Sequence, residues 1–236
     1  MVSERVSPRL QGIILDLDDT LYLEHEYVQS GFLAVGRSLS DDPDEGQRYG
    51  EWLVKRAAQE NDGQTFNHLL TAFPHLGERS DVLKMVRVYR EHQPDLRLAD
   101  EWREALEHWR HRGIFLGLIS DGELVGQQRK VDALGLESLL DHIVFTDAYG
   151  KDHWKPSPTA FQEMERVSGL HGPALLYVGD NVLKDFVAPN SLGWRTVRLR
   201  LPLQVRDRLE PADETFAAQV EVNSFRVLRD LLESWL

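Results

Sequence analysis

The sequence predicts an α/β protein: a parallel sheet covered by helices on both faces, interrupted near its start by an all-helical insertion. Three observations carry this. Short apolar runs alternate with stretches of helical periodicity, which is the pattern of βαβ units. The runs are apolar throughout rather than every second residue, as in strands buried on both faces. The first and second runs are separated by far more chain than the dozen or so residues a crossover helix needs, and that chain is too long for a loop.

In order, the first strand is expected at residues 13–17 (IILDL). Helical patterns follow at 27–39, 45–60, 65–73 and 80–91, so 22–94 reads as an inserted helical domain and 1–21 with 95–236 as the core. The crossover helix is expected at 100–112, with Asp100 as its N-cap and Gly113 as its stop. Further strands are expected at 114–120 (IFLGLIS), 142–146 (HIVFT), 174–180 (ALLYVGD) and 194–199 (WRTVRL). Helices at 124–134 and 158–167 link them. Residues 202–215 read as an irregular connection. The C-terminal segment NSFRVLRDLLESWL reads as a helix capped by Asn223 or Ser224, with Phe225, Leu228, Leu231, Leu232 and Trp235 on its apolar face.

Composition narrows the function classes. Of 236 residues, 42% are hydrophobic and 28% charged, enough to build a substantial core. No apolar run approaches the roughly 20 residues that span a bilayer. The opening MVSERVSPRL lacks an apolar signal core. There is no cysteine, which excludes disulfides and thiolate metal sites and fits a cytoplasmic location. The net charge of -12 disfavours nucleic acid and anionic membranes as partners. A small anionic ligand would need local positive charge, which a divalent cation can supply. Nothing in the sequence reads out an oligomeric state.

In an open parallel sheet, ligands bind beyond the carboxyl ends of the strands. Reading those ends gives one constellation. The first strand ends in Asp16 and Asp18, two residues apart, and strand periodicity puts both on one side, facing the same site. The second ends in Ser120, Asp121 and Gly122. The third leads into a loop carrying Lys155, and the fourth ends in Asp180 with Asp185 five residues on. Taken singly, each has a structural explanation: carboxylates and Ser120 can cap helices or close turns, and Lys155 can face water. Independent caps have no reason to fall in this order at successive strand ends.

The set DLDDT, ISDG, WKPSP and GDNVLKD resembles the four motifs of the haloacid dehalogenase-like superfamily, and the helical insert after the first motif looks like that superfamily's helical cap. The resemblance implies a Rossmann-like core and Mg²⁺-dependent phosphoryl transfer through an aspartyl-phosphate. It implies Asp16 as nucleophile and metal ligand, and Asp18 as general acid and then base, with its backbone carbonyl also on the metal. Asp180 is implied as a direct metal ligand and Asp185 as one that binds the metal through water or orients other ligands. Ser120, the backbone N–H groups of Asp121 and Gly122, and Lys155 would hold the phosphate. Thr20 is a weaker phosphate-binding candidate, and Asp19 fits a turn-organising role.

The substrate that the resemblance implies is a small phosphorylated metabolite, a sugar phosphate or nucleotide. Within the same superfamily, dehalogenation is the first rival; halide leaves without a proton and needs no acid at position 18. A phosphomutase would keep the same core residues. A non-catalytic interaction protein would be expected to lose one of them, and none is missing.

Overall fold

The computed structural model describes residues 9–59 and 62–236. Contacts divide the chain into two units, one made of the chain up to Glu24 together with Arg97–Leu236, the other of His25–Leu96.

The first unit is built on six strands: β1 (Gly12–Leu15), β2 (Phe115–Ser120), β3 (His142–Phe145), β4 (Leu175–Gly179), β5 (Arg195–Leu199) and β6 (Val220–Val222). They form one sheet in the order β3-β2-β1-β4-β5-β6, and every neighbouring pair is parallel. The chain therefore winds outward from β1 to β3, then returns to the other side of β1 as β4. This reversal beside β1 is the topological switch point, where open α/β sheets place their ligands.

Strand alternation sends Ile14, Ile119 and Tyr177 to one face, into a core with Phe161 and Met164 of helix α7 (Thr159–Ser168), Ala188 of α8 (Val187–Ser191), and Phe186 and Trp194. Helices α5 (Asp100–His111) and α9 (Phe225–Trp235) pack on each other elsewhere in the unit. The Trp102 and Phe225 rings are 4.5 Å apart, and Trp109 Nε1 donates to Glu233 at 2.9 Å. Ser224 caps α9, its hydroxyl accepting from the Val227 N–H at 3.3 Å. Helix α6 (Leu124–Leu134) ends on Gly135, whose φ of 67° suits a residue without Cβ.

The second unit holds α1 (Glu24–Ser38, whose first residue lies in the other unit), α2 (Pro43–Gln59), α3 (Thr65–Ala72) and α4 (Val82–Glu91). Its own core contains Phe32, Val35, Leu39, Tyr49, Leu53, Leu69, Leu76 and Met85. Helices α1 and α2 approach backbone to backbone: a Cβ on Gly36 would collide with the main chain of Gly46 and Gly50. Among the described residues, no helix is long and apolar enough to cross a membrane.

The structure differs from the sequence expectation in four places. β6 and α8 are additional; at three and five residues they are too short for a periodic signal. Asp100 is the first helical residue of α5, and the cap position belongs to Ala99, which has no side-chain acceptor. β1 stops at Leu15, so Asp16 and Asp18 lie in the turn beyond it and strand alternation does not place them. The expected helix end at Glu60, and the reading of residues 1–8 as lacking a signal core, lie outside the described residues.

Candidate active site at the switch point

The register sets the strand ends level. Leu15 pairs with Leu118 on one side and with Val178 on the other. The Asp16 N–H donates to the Val178 carbonyl at 2.9 Å, extending the ladder by one bond. Asp16 is thereby fixed directly over the switch point. Asp180 follows the last residue of β4, and the chain then turns tightly, the N–H of Asp185 reaching back to the Asn181 carbonyl at 3.0 Å. That turn brings Asp185 under Asp180, where its Oδ2 accepts from the Asn181 N–H at 2.9 Å.

Asp16, Asp180 and Asp185 are all buried, and each offers a carboxylate oxygen within 4.8 Å of the other two. Lys155 meets them from the loop after β3. Its side chain is fully buried, with Nζ 2.5 Å from Asp16 Oδ1, 2.8 Å from Asp185 Oδ1 and 2.9 Å from the Tyr177 hydroxyl. The contact to Asp185 Oδ1 is an ion pair off hydrogen-bond geometry. Burial lowers a lone ammonium's affinity for its proton, but Asp16 and Asp185 reverse this and hold Lys155 well above its ordinary value.

The carboxylates remain under strain. Burial pushes Asp16 up to about 7, opposed by Lys155 and aided by Asp185. Asp180 is pushed up to about 9 by burial and then by the charges of Asp185 and Asp16. Asp180 Oδ2 is buried without a hydrogen-bond partner among the described residues.

These residues fit a hard divalent cation. Mg²⁺ takes oxygen ligands, and this cluster supplies carboxylate oxygens, one of them unpartnered, at mutual distances a single ion can span. Asp16, Asp180 and Asp185 are the side chains that would hold it.

Asp18 points elsewhere. Its carboxylate accepts from Lys130 Nζ (2.7 Å to Oδ1), from Gln127 Nε2 (2.8 Å to Oδ2) and from the Tyr22 hydroxyl. Burial pushes this carboxyl up, but Lys130 and the other two donors outweigh it and hold Asp18 below its ordinary value.

Ser120 is buried, and its hydroxyl oxygen lies 2.5 Å from Gln127 Nε2. The Asp121 side chain is a bracket, accepting from Thr146 Oγ1 (2.7 Å), from the Lys155 N–H (3.1 Å) and from Lys184 Nζ (2.7 Å). It ties the loop bearing Lys155 to the end of β2. Asp19, at φ 55°, accepts from the Glu24 and Val205 N–H groups, both at 2.7 Å, and so organises the turn. Thr20 Oγ1 is buried without a hydrogen-bond partner among the described residues. Gly122 follows Asp121 at the start of the turn into α6.

Sequence reasoning missed Gln127, Lys130, Tyr177 and Lys184. The first two sit in GQQRK, which reads as a solvated helix face, and Tyr177 is hidden in an apolar strand. The available signal was the i, i+3 spacing of Gln127 and Lys130 directly after ISDG, which puts both on one face of α6. A groove of about 660 Å³ lined by Arg9, Gln11, Arg112, Ile114 and Phe115 lies at the amino ends of β1 and β2, the opposite edge of the sheet from the carboxylates.

The profile of the haloacid dehalogenase-like hydrolases matches residues 10–193. A glyceraldehyde 3-phosphate phosphatase from Methanocaldococcus jannaschii is 25% identical over 233 residues, spanning 95% of this chain and 98% of that protein. A Bacillus subtilis hydrolase of the superfamily, solved bound to magnesium, superposes with a TM-score of 0.62 at 18% identity, over 95% of this chain and 99% of that one. The L-2-haloacid dehalogenase of Xanthobacter autotrophicus superposes at 0.60 with 19% identity, over 96% and 100%. The two structural likenesses show the shared fold. The profile match covers most of the chain, from β1 through the carboxylate turn after β4, and on that ground the protein belongs to the haloacid dehalogenase-like hydrolases.

Proposed function

We propose that the protein is a Mg²⁺-dependent phosphatase that hydrolyses a small phosphate monoester through an aspartyl-phosphate on Asp16. The observation that carries this is the charge balance of the buried site. Asp16, Asp180 and Asp185 face one another, the Lys155 ammonium pairs with Asp16 and Asp185, and Asp180 Oδ2 has no hydrogen-bond partner among the described residues. Such an arrangement suits a divalent cation and a dianionic group arriving together. Bound there, Mg²⁺ would offset the charge of carboxylates and phosphate and orient the phosphoryl group for in-line attack.

The chain's own residues then divide the work. Lys155 favours the ionised form of Asp16 against its burial and shares the charge of the transferring group. Ser120 and the N–H groups of Asp121 and Gly122 hold phosphate oxygens at the start of α6. Asp16 attacks phosphorus, the ester bond breaks, and the leaving oxygen takes a proton from Asp18. Asp18 then takes a proton from water as that water attacks phosphorus, the bond to Asp16 breaks, and phosphate departs. Without substrate Asp18 is held ionised, the form a base needs. The negative charge of an incoming phosphate ester raises its proton affinity and lets it load the proton it donates first.

Asp18 also separates this reading from dehalogenation, which needs no acid. The helical unit would serve as the cap that selects substrate and excludes bulk water during turnover. The relative named above suggests triose phosphates as the first substrates to try.

The test is phosphate release from glyceraldehyde 3-phosphate, other sugar phosphates and nucleotides, with Mg²⁺, with chelator, and with Mg²⁺ restored. Release that depends on the cation is expected. Full activity in chelator overturns the metal assignment, halide release from 2-haloacids without phosphate release reverses the chemistry, and transfer to a second hydroxyl instead of water makes it a mutase.

A further inference from the structure

Helix α6 brings one polar side chain to two parts of the site at once. Gln127 is buried, and its Nε2 lies 2.5 Å from Ser120 Oγ, 2.8 Å from Asp18 Oδ2 and 2.9 Å from the Asp121 carbonyl oxygen. The Asp121 carbonyl oxygen can only accept, which fixes the amide with its nitrogen toward these three oxygens. An amide NH₂ has two hydrogens, here shared among three oxygens, and no acceptor, so toward it Ser120 Oγ can only accept. The hydroxyl hydrogen of Ser120 is then directed away from Gln127 and is available to a phosphate oxygen.

The same amide sets Asp18. Lys130 and Tyr22 both take Oδ1, while Gln127 takes Oδ2. With both oxygens tied, the carboxylate plane is fixed. The local chain is shaped for this contact. Gly122 has φ 138°, and a Cβ there would stand 2.9 Å from Gln127 Cδ, so the turn before α6 closes on the amide only because residue 122 is glycine.

We propose that Gln127 is a positioning residue: its amide turns the Ser120 hydroxyl toward the phosphate and holds the Asp18 carboxylate in line with the scissile oxygen. This rests on the phosphatase reading. One side chain thereby couples phosphate holding to proton transfer, two roles that the sequence assigns to separate motifs.

The experiment is a double-mutant cycle of Gln127→Leu with Ser120→Ala, read by kcat/KM and by the affinity for inorganic phosphate, the latter by calorimetry in Mg²⁺. Gln127→Leu should lower kcat/KM by about ten- to a hundredfold, the scale of a misplaced catalytic group. It should weaken phosphate binding by roughly tenfold and let phosphoenzyme build up, because Asp18 no longer faces the water. In the Ser120→Ala background the same change should weaken phosphate binding by less than about threefold, since the group it acts through is gone. Gln128→Leu, on the exposed side of α6, should change neither quantity.

Equal losses in both backgrounds, or a folded Gln127→Leu with unchanged kcat/KM and phosphate affinity, overturn the proposal. If Gln127→Leu does not fold, Gln127→Met carries the same expectations with an unbranched side chain. A wild-type protein that releases no phosphate from any monoester refutes the phosphatase reading alone, because phosphate calorimetry still reports whether Gln127 governs Ser120.

Discussion

Replacing Asp18 by asparagine separates proton transfer from nucleophilic attack. The substitution keeps the shape and removes the charge that faces Lys130 at 2.7 Å and the Tyr22 hydroxyl. An amide oxygen can still accept from Lys130, so a charged hydrogen bond becomes a charge-to-neutral one, while the new NH₂ meets the donor Gln127 Nε2; together these cost about 2–4 kcal/mol. At about 2–4 °C per kcal/mol for a chain of this size, Tm should fall by roughly 4–16 °C. The kinetic effect should be far larger. With a sugar phosphate the leaving alkoxide lacks its proton, and the first step should slow by about a hundred- to ten-thousandfold. With p-nitrophenyl phosphate the leaving group needs little help, while breakdown of the aspartyl-phosphate still lacks its base. Rapid-quench assays should then show a burst of about one nitrophenolate per active site, with phosphate retained on Asp16 by mass spectrometry. Asp16→Asn should show neither burst nor label. A label on Ser120 or Asp180, or undiminished turnover of alkyl phosphates by Asp18→Asn, would refute the assigned roles.

Mg²⁺ at a hundred times its Kd should stabilise the fold by about 2.7 kcal/mol, or roughly 5–11 °C in a thermal scan; a shift that survives unchanged in Asp180→Asn places the ion elsewhere. Lys155→Met leaves buried Asp16 and Asp185 without their ammonium and should cost roughly 3–5 kcal/mol in chelator, with Mg²⁺ recovering more stability than in the wild type; equal Tm values for both proteins in chelator contradict the pairing. Gly36→Ala forces a Cβ against the backbone of Gly46 and Gly50 and should destabilise the helical unit by about 1–3 kcal/mol. Hydrogen exchange should then quicken in α1 and α2 and not in β1 or β4, and uniform acceleration argues against two separate cores.

The order of buried runs and helical stretches is a local property, since each strand or helix is written in a few consecutive residues. The α/β class, five of the six strands and all four motif-bearing strand ends could therefore be read from the chain. The three-residue β6 escaped because it is shorter than a period, and its partner β5 decides its existence. Asp16 and Asp180 were legible because each directly follows a buried run. Their neighbours were not. Lys155 meets Asp16 across 139 residues of chain, and Lys130 meets Asp18 across 112. Nothing local distinguishes Lys130 or Gln127 from the solvated lysines and glutamines of any helix. Their burial comes from what packs over α6, and their partners come from the parallel register that sets the ends of β1 and β2 level. The sequence by itself determined which chemical groups stand at the strand ends. Only the tertiary structure decided which cation and which amide face each carboxylate, because Coulomb and hydrogen-bond energies depend on separation in space, and chain distance does not specify it.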